Sequence, residues 1–305
     1  MSLYPNSAFN PVLSEALNKI GENKFVGTQI LPIRNVGTKN GDYPIFDADQ
    51  FDLNDSAVRS AGSSFARRDF DYNKQSYATV QYALEGVLPD EDQSKANDDG
   101  ISDATGAIAQ KLQRDLMVGH ELRVSTAMSG ASFGSITPGN GSLSNADATP
   151  IKDVQNAVEE LNADGFFGLT LVIEHSLYNA FLNADEVRNI YSGSGLYLNK
   201  PQLQDALGVD NIIICPTRYN SAKKGQTASR DRIWSNTEYY VAQLAGGEFS
   251  NGGIGRTLAY APDGGAFTAE TYRDEPIKSD VLRVYMSTDE VIINTNAGRQ
   301  IASTV

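Results

Sequence analysis

The stretch ISDATGAIAQKLQRDLMVGHELRVSTAM, residues 101 to 128, carries the longest helical pattern in the chain. Its small or apolar positions recur at three- or four-residue steps: Ile101, Ala104, Ile108, Leu112, Leu116, Gly119, Leu122 and Thr126. At about 1.5 Å per residue this helix is about 42 Å long. Gly106 and Gly119 each weaken it by about 1 kcal/mol relative to alanine, so tertiary packing must hold it. We predict a long helix lying on a sheet, with Arg114, Glu121 and Arg123 largely off the apolar stripe.

The segment before this helix divides into an arm and a polar excursion. Residues 1–37 are predicted to be an arm with one short helix, which Asn10 caps and Gly21 ends. Residues 38–80 begin with an Asn40-Gly41 turn and continue through a polar stretch rich in Asp, Ser, Arg and Asn. Long loops of this kind are usually functional or ordered by a partner, and a neighbouring subunit would serve.

The segment after the helix alternates between helical and extended patterns. Residues 129–150 are rich in Gly, Ser, Asn and Pro and mark a candidate boundary. Helices are predicted at 151–163, 177–184 and 200–207, and strands at 169–173, 211–215, 232–235 and 238–244. Further strands are predicted at 257–261, 267–273, 280–287 and 290–294. The fold class is therefore α+β.

Composition excludes several classes of protein. The chain has 305 residues, 25 Lys plus Arg and 38 Asp plus Glu, for a formal charge of −13. A net negative field disfavours tight binding of nucleic-acid phosphates, although it does not exclude a container for DNA. The start of the chain has no signal-peptide pattern, and no apolar stretch approaches the roughly 20 residues of a membrane span. We expect a soluble protein made in the cytoplasm.

Motifs that would support an enzyme are present only in the wrong context. Gly130-Ala131-Ser132-Phe133-Gly134 fits the G-x-S-x-G pattern of hydrolases, but that serine belongs on a strand-to-helix turn and here follows a predicted helix. The two histidines, His120 and His175, lie on different predicted helices and are interpreted as packing or capping residues. The single cysteine, Cys215, is interpreted as a buried core thiol.

Candidate ligand loops fail in the same way. Gly253 stands where a phosphate loop beginning at Gly247 requires lysine. The acidic stretches 90–92 and 97–100 break the calcium-loop pattern at both ends and are interpreted as a solvated helix entrance. The basic doublets Arg67-Arg68 and Lys223-Lys224 are interpreted as exposed faces, with ion pairing between subunits as the alternative. No catalytic residue, cofactor site or metal ligand is predicted.

The order of elements resembles the major capsid proteins of tailed phages that share the Hong Kong 97 phage fold. The resemblance spans the chain and is carried by the order of five short strings: Ile30-Leu31-Pro32-Ile33, Gly41-Asp42-Tyr43-Pro44-Ile45-Phe46, Leu84-Glu85-Gly86-Val87-Leu88-Pro89-Asp90, Tyr272-Arg273-Asp274-Glu275 and Asp280-Val281-Leu282-Arg283-Val284.

The resemblance implies a division of the chain and a function. Residues 1–37 would be the N-terminal arm, 38–80 the extended loop, 81–150 with 267–305 the peripheral domain with its spine helix at 101–128, and 151–266 the axial domain. The chain would assemble with itself into pentamers and hexamers of an icosahedral shell that encloses double-stranded DNA without sequence-specific binding. Separate scaffold, portal and decoration proteins are further expected partners. Lys74 lies in the extended loop, where some relatives crosslink, but no activating acid is evident and no crosslink is predicted.

Three other functions stay open at this point. A bacterial encapsulin-type nanocompartment shell would have a similar fold and enclose enzymes instead of DNA. A serine hydrolase using Ser132 is the alternative from another class, and a β-rich tail or adhesin component is a third.

Overall fold

The computed structural model describes residues 8–9, 13, 14, 17, 25–45, 61, 62, 64, 73–93, 104–139, 142, 143, 145, 147–192, 199–223, 225–245, 252–262 and 265–303. Six helices are bounded within these residues: α1 Gly27–Ile30, α2 Ala104–Gly130, α3 Pro150–Ala163, α4 His175–Asn183, α5 Asp185–Ser192 and α6 Lys200–Leu207. Fifteen strands accompany them: β1 Ala8–Phe9, β2 Ile33–Val36, β3 Asn40–Ile45, β4 Asn73–Ala78, β5 Val80–Pro89, β6 Gly134–Ile136, β7 Leu169–Glu174, β8 Asn211–Cys215, β9 Arg218–Asn220, β10 Arg230–Arg232, β11 Glu238–Gln243, β12 Gly255–Tyr260, β13 Phe267–Asp274, β14 Ser279–Ile292 and β15 Gly298–Ala302. The α+β class predicted from the sequence is confirmed.

A six-stranded sheet forms around the long strand β14. Its hydrogen-bonded order is β1-β13-β14-β12-β2, and β5 also pairs with β14. The register joins β5 to residues 279–288 of β14, β13 to residues 279–286 and β12 to residues 288–292. Strand β14 is thus the shared partner of β12 and β13, which directly precede it in the chain, and of the distant strand β5.

A second, five-stranded sheet has the order β6-β15-β11-β7-β8. Strands β7 and β8 are parallel, and β11 is antiparallel to β7. All six residues of β7 are buried, as expected for a strand covered on both faces. Helices α3, α4 and α6 supply much of the apolar side of this core, through Val154, Leu161, Leu177, Phe181 and Leu203.

Helix α2 packs on β14 and β5 of the larger sheet and also reaches the smaller one. Its apolar contacts with the larger sheet come from Leu112, Leu116 and Met117. The predicted stripe was wrong in its C-terminal half, because Leu122 and Thr126 are exposed while His120, Glu121, Val124 and Met128 are buried. The buried side of α2 changes because the core of the five-stranded sheet covers the C-terminal half of this helix.

Two small hairpins complete the fold. Strands β3 and β4 pair antiparallel from Asn40↔Ala78 to Ile45↔Asn73, which gives the predicted excursion a two-stranded base. Strands β9 and β10 pair from Arg218↔Arg232 to Asn220↔Arg230. The predicted strand at 232–235 was wrong in its bounds, because the observed strand β10 covers Arg230–Arg232.

Some predicted element boundaries differ from the structure. The predicted strands 280–287 and 290–294 are one strand, β14, while β15 and helix α5 were not predicted. The predicted arm, residues 1–37, also contains the short helix α1, which was not predicted. Strand β12, expected in the axial part, pairs with β14 in the larger sheet, and β15, expected in the peripheral part, pairs with β11 in the smaller one. The two sheets therefore exchange strands near the end of the chain.

Within the described residues, no helix combines the length and apolarity that a membrane crossing needs.

Candidate functional site

A buried polar cluster lies where α2 contacts the larger sheet. His120 is fully buried, and its Nε2 lies 3.1 Å from Oγ1 of Thr257 on β12. One turn away, Nε of Arg123 donates to Oε2 of Glu290 on β14 at 3.1 Å. The Arg123 guanidinium also lies 3.6 Å from the ring centroid of Tyr82 on β5. Polar contacts from α2 therefore reach three strands of this sheet.

Burial is the main cause of the shifted pKa of His120. Burial, with a smaller contribution from the Arg123 charge, lowers the pKa of His120 to about 3. Oε1 of Glu290 lies 3.6 Å from Nε2 and would favour the imidazolium. That carboxylate is already paired with Arg123 and accepts a hydrogen bond from Thr288 at 2.9 Å. The His120 imidazole is therefore neutral and serves as a packing group.

A second buried cluster joins α2 to the β10–β11 segment. Nε1 of Trp234, the single tryptophan of the chain, donates to Oε1 of Glu121 at 2.9 Å. The hydroxyl of Ser125, one turn further on, donates to the Ile233 carbonyl at 2.8 Å. Among the described residues, Oε2 of Glu121 has no hydrogen-bond partner. These contacts fix the C-terminal half of α2 to the segment between β10 and β11.

Burial determines the protonation of the groups around this second cluster. It raises the pKa of the Glu121 carboxyl, and the hydrogen bonds that favour the carboxylate only partly offset this effect. The pKa of Cys215 is raised by burial and by the nearby carboxyls of Glu121 and Glu174. Cys215 is thus a buried thiol, as predicted, and has little thiolate character.

The residues proposed for hydrolase chemistry are not brought together in the way that chemistry requires. Ser132 is exposed between the end of α2 and the start of β6, in a helix-to-strand connection. His175 opens α4, where its Nε2 lies 3.4 Å from the Asn179 amide. The nucleophile elbow requires the opposite order, a strand followed by a helix.

The candidate ligand loops lie partly or wholly outside the described residues. Residues 67, 68, 97–100, 224 and 247–251 belong to that undescribed part. Gly253 is described at a φ of 95°, and an added Cβ would collide with the backbone of Ala245, so a tight turn accounts for this glycine. Asp90 is held by Arg273, whose hydrogen bond lowers the pKa of this carboxyl. No group of three or more potential metal ligands occurs in the described part of the chain.

Solved structures of similar fold cover nearly the whole chain. A phage-related protein of Bordetella bronchiseptica RB50 superposes with a TM-score of 0.74 at 18% identity, over 96% of this chain and 97% of that one. The putative capsid protein of a prophage of E. coli CFT073 gives 0.60 at 11% identity, over 98% and 99%. A virus-like particle from Pyrococcus furiosus gives 0.57 at 12% identity, over 95% and 98%.

The chain has the phage capsid fold. This confirms, for the fold, the resemblance inferred from the order of the sequence strings. No family model matches the sequence, and no curated protein matches it. At 10 to 18% identity, the capsid fold is therefore evident from the arrangement of elements and not from residue identities.

Two features of this capsid fold were missed from the sequence. Glu121 was interpreted as a polar residue off the apolar stripe, although it is fully buried. Trp234 was not singled out, yet it makes the hydrogen bond that accommodates Glu121. A single tryptophan at the edge of a predicted strand was the available signal, since indole N–H groups usually find a partner when buried.

Proposed function

We propose that this chain is the major capsid protein of a tailed phage, which assembles with itself into an icosahedral shell around double-stranded DNA. The observation that carries the proposal is the end-to-end similarity to a putative prophage capsid protein, over 98% of this chain and 99% of that one. We expect no enzymatic activity.

The β3–β4 pair supports this function, because its base is anchored to the larger sheet while the far half of β4 is exposed. Tyr43 and Tyr77 pack with Leu258 of β12 in a small apolar cluster. The Ala78 amide donates to Oδ2 of Asp289 on β14 at 3.0 Å. Further along β4, residues 73–76 are polar and exposed. We propose that residues 38–80 form the extended loop, which leaves its own subunit to contact a neighbour.

Strand β5 offers a surface of the kind that such a neighbour would cover. In the described part of the chain it pairs with β14 alone, and its other edge has no strand partner among these residues. Its apolar side chains Val80, Leu84 and Val87 are exposed. Exposed strand edges with apolar side chains lead to association unless they are covered. A contact between subunits in the shell would cover this one.

The domain division follows from the same proposal, with the strand exchange taken into account. Residues 1–37 are the arm, and 81–150 with 267–305 are the peripheral domain, to which β12 also contributes. Residues 151–266 are the axial domain, to which β15 also contributes. The buried contacts of α2 with both sheets would keep the two domains in one orientation.

Other partners and the location follow from the assembled shell. We propose assembly in the host cytoplasm, with the capsid of the virion as the final location and with separate scaffold, portal and decoration proteins as partners. The net charge of −13 agrees with a container that encloses DNA without binding it tightly.

The test is to express the chain with the products of its neighbouring genes and to examine the particles after nuclease treatment. Closed shells that protect double-stranded DNA support the phage proposal. Closed shells that contain a cargo enzyme and no DNA support the nanocompartment alternative. A protein that stays monomeric with its partner genes present contradicts both.

A further inference from the structure

The β9–β10 hairpin is the most basic feature of an acidic chain. Residues 218–232 contain five of the 25 basic residues and one of the 38 acidic residues. They therefore carry a formal charge of +4, and the remainder of the chain carries −17.

The geometry of the hairpin increases the need for an acidic partner. Arg218 lies directly opposite Arg232 in the register, and like charges at such positions destabilise a strand pair. A two-stranded hairpin is also marginally stable by itself in water. Nε of Arg232 lies 3.6 Å from Oε1 of Glu174. Arg218, Lys223 and Arg230 are exposed and form no ion pair with any residue that the structure describes.

Exposed acidic residues lie on helices α3 and α6 and in the connection from α6 to β8, and the exposed Lys152 is a basic residue on α3. We define the α3–α6 acidic face as Glu159, Asp205 and Asp210, all exposed and without an ion pair among the described residues. The two helices are joined where Nε2 of Gln155 donates to the Ala206 carbonyl at 2.8 Å. Lys200, whose Nζ lies 3.5 Å from Oδ1 of Asn211, is a basic residue at the border of this face.

The hairpin and the acidic face lie at opposite ends of the β7–β8 pair. These strands are parallel, and the Asp210 amide donates to the Leu169 carbonyl where both begin. Glu174 and Cys215 end the two strands, and the hairpin starts just beyond Cys215. The five residues of β8 span roughly 16 Å at about 3.3 Å per residue. The charges at the two ends are therefore placed to meet between copies of the chain, not within one copy.

We propose that the β9–β10 hairpin of one subunit docks on the α3–α6 acidic face of the next subunit in a ring. Such a contact joins two different patches, so it runs head to tail, and head-to-tail contacts form closed rings when the rotation permits. This inference rests on the proposed shell function, because it specifies one contact within the rings of five and six. Charge complementarity of this kind sets partner choice and orientation.

A second copy of the chain fits the hairpin better than the enclosed DNA does. The hairpin belongs to a subunit whose other residues sum to −17, and this negative field opposes the approach of phosphates. The same field favours the docking of a basic hairpin on a neighbouring acidic subunit.

The test uses two charge-reversed variants and their mixture. The hairpin variant carries Arg218→Glu and Arg230→Glu, and the face variant carries Glu159→Lys and Asp205→Lys. Lys111→Glu with Arg114→Glu, at exposed positions of α2, changes the net charge as the hairpin variant does and is its control. Circular dichroism and thermal melting confirm the fold of each variant before mass photometry and negative-stain electron microscopy.

We expect each variant alone to lose at least ten-fold in the fraction of rings and shells at low salt, while the control keeps wild-type assembly. An equimolar mixture of the two variants restores association, because each reversed patch then meets its complement. Alternating subunits close only in even numbers, so the mixture yields rings of six and not of five.

The outcomes separate this inference from the proposed function. If the wild type assembles and both variants assemble equally well, the docking contact is contradicted, but the proposed shell function is not. A hairpin variant that assembles normally and loses only binding to a short DNA duplex also overturns it, in favour of a phosphate contact. A wild-type chain that never forms rings or shells contradicts the proposed function itself.

Discussion

Trp234 and Glu121, 113 residues apart in the chain, share a hydrogen bond of 2.9 Å between two buried side chains. This contact ties the long helix α2 to the segment that enters β11. The indole N–H of Trp234 donates to the carboxyl of Glu121, and burial disfavours the charged form of this carboxyl. The stability of the junction therefore depends on the pair, not on either residue alone.

Replacement of Trp234 by phenylalanine is expected to destabilise the fold by about 1–3 kcal/mol, because it leaves Oε1 of Glu121 buried without its donor. Chemical denaturation of the unassembled chain measures this change. Adding Glu121→Leu to Trp234→Phe removes the buried carboxyl. The double variant should therefore lose less free energy of unfolding than the sum of the losses in the two single variants. Strict additivity would contradict the coupling.

Glu121→Gln is expected to change the pH dependence of stability. The folded pKa of Glu121 is raised, so its contribution is most favourable below the unfolded pKa of 4.5 and is lost as the pH rises through the folded pKa. Glutamine does not titrate, so the free energy of unfolding of the variant relative to that of the wild type should rise as the pH increases from 4.5 through the folded pKa and then stay constant. A difference in melting temperature that stays constant over this range would contradict the prediction.

His120 is expected to destabilise the fold in acid, in the opposite sense. Its folded pKa of about 3 lies below the ordinary value of 6.5, so its neutral form contributes stability fully above pH 6.5. That contribution is lost as the pH falls from 6.5 towards 3, by about 2 kcal/mol at pH 5. Chemical denaturation should show that the free energy of unfolding falls less between pH 7 and pH 5 for His120→Gln than for the wild type. His175→Gln, at an exposed histidine, controls for removal of an imidazole, and an unchanged loss in His120→Gln would contradict the prediction.

Gly86 is the close-contact point between β5 and α2. A Cβ at this position would overlap Ile108, with Leu112 at 3.3 Å. Gly86→Ala should therefore cost about 1–3 kcal/mol, because the helix must move away from the sheet. Gly37→Ala is the matched control, since a Cβ there meets no heavy atom within 4 Å. Equal melting temperatures for the two variants would show that the helix is not packed as closely as described.

The sequence predicted elements best where local signals were complete. Helix α6 and strand β8 have the predicted bounds, because Asn199 caps the helix and Gly208, at a φ of 69°, ends it. Strand β15 was missed because its short polar sequence becomes a strand only through pairing with β11 and β6. The burial of Glu121 was missed for the same reason, because its partner Trp234 is 113 positions away.

Removal of residues 46–72, within the proposed extended loop, is expected to leave the paired strands β3 and β4 intact. Ile45 and Asn73 are paired across β3 and β4, so an Asn-Gly turn can replace residues 46–72. We expect this variant to keep the wild-type circular dichroism and melting temperature, and to lose shells in electron microscopy. Shells of normal size from the shortened chain would contradict the role proposed for the loop.

Cryo-electron microscopy of particles formed by the wild-type chain is the decisive measurement of shell assembly. We predict a closed icosahedral shell, in which this fold occupies rings of five and six and the β3–β4 hairpin reaches a neighbouring subunit. A protein that stays a monodisperse monomer with its partner genes present, or that assembles only into open filaments, would contradict it.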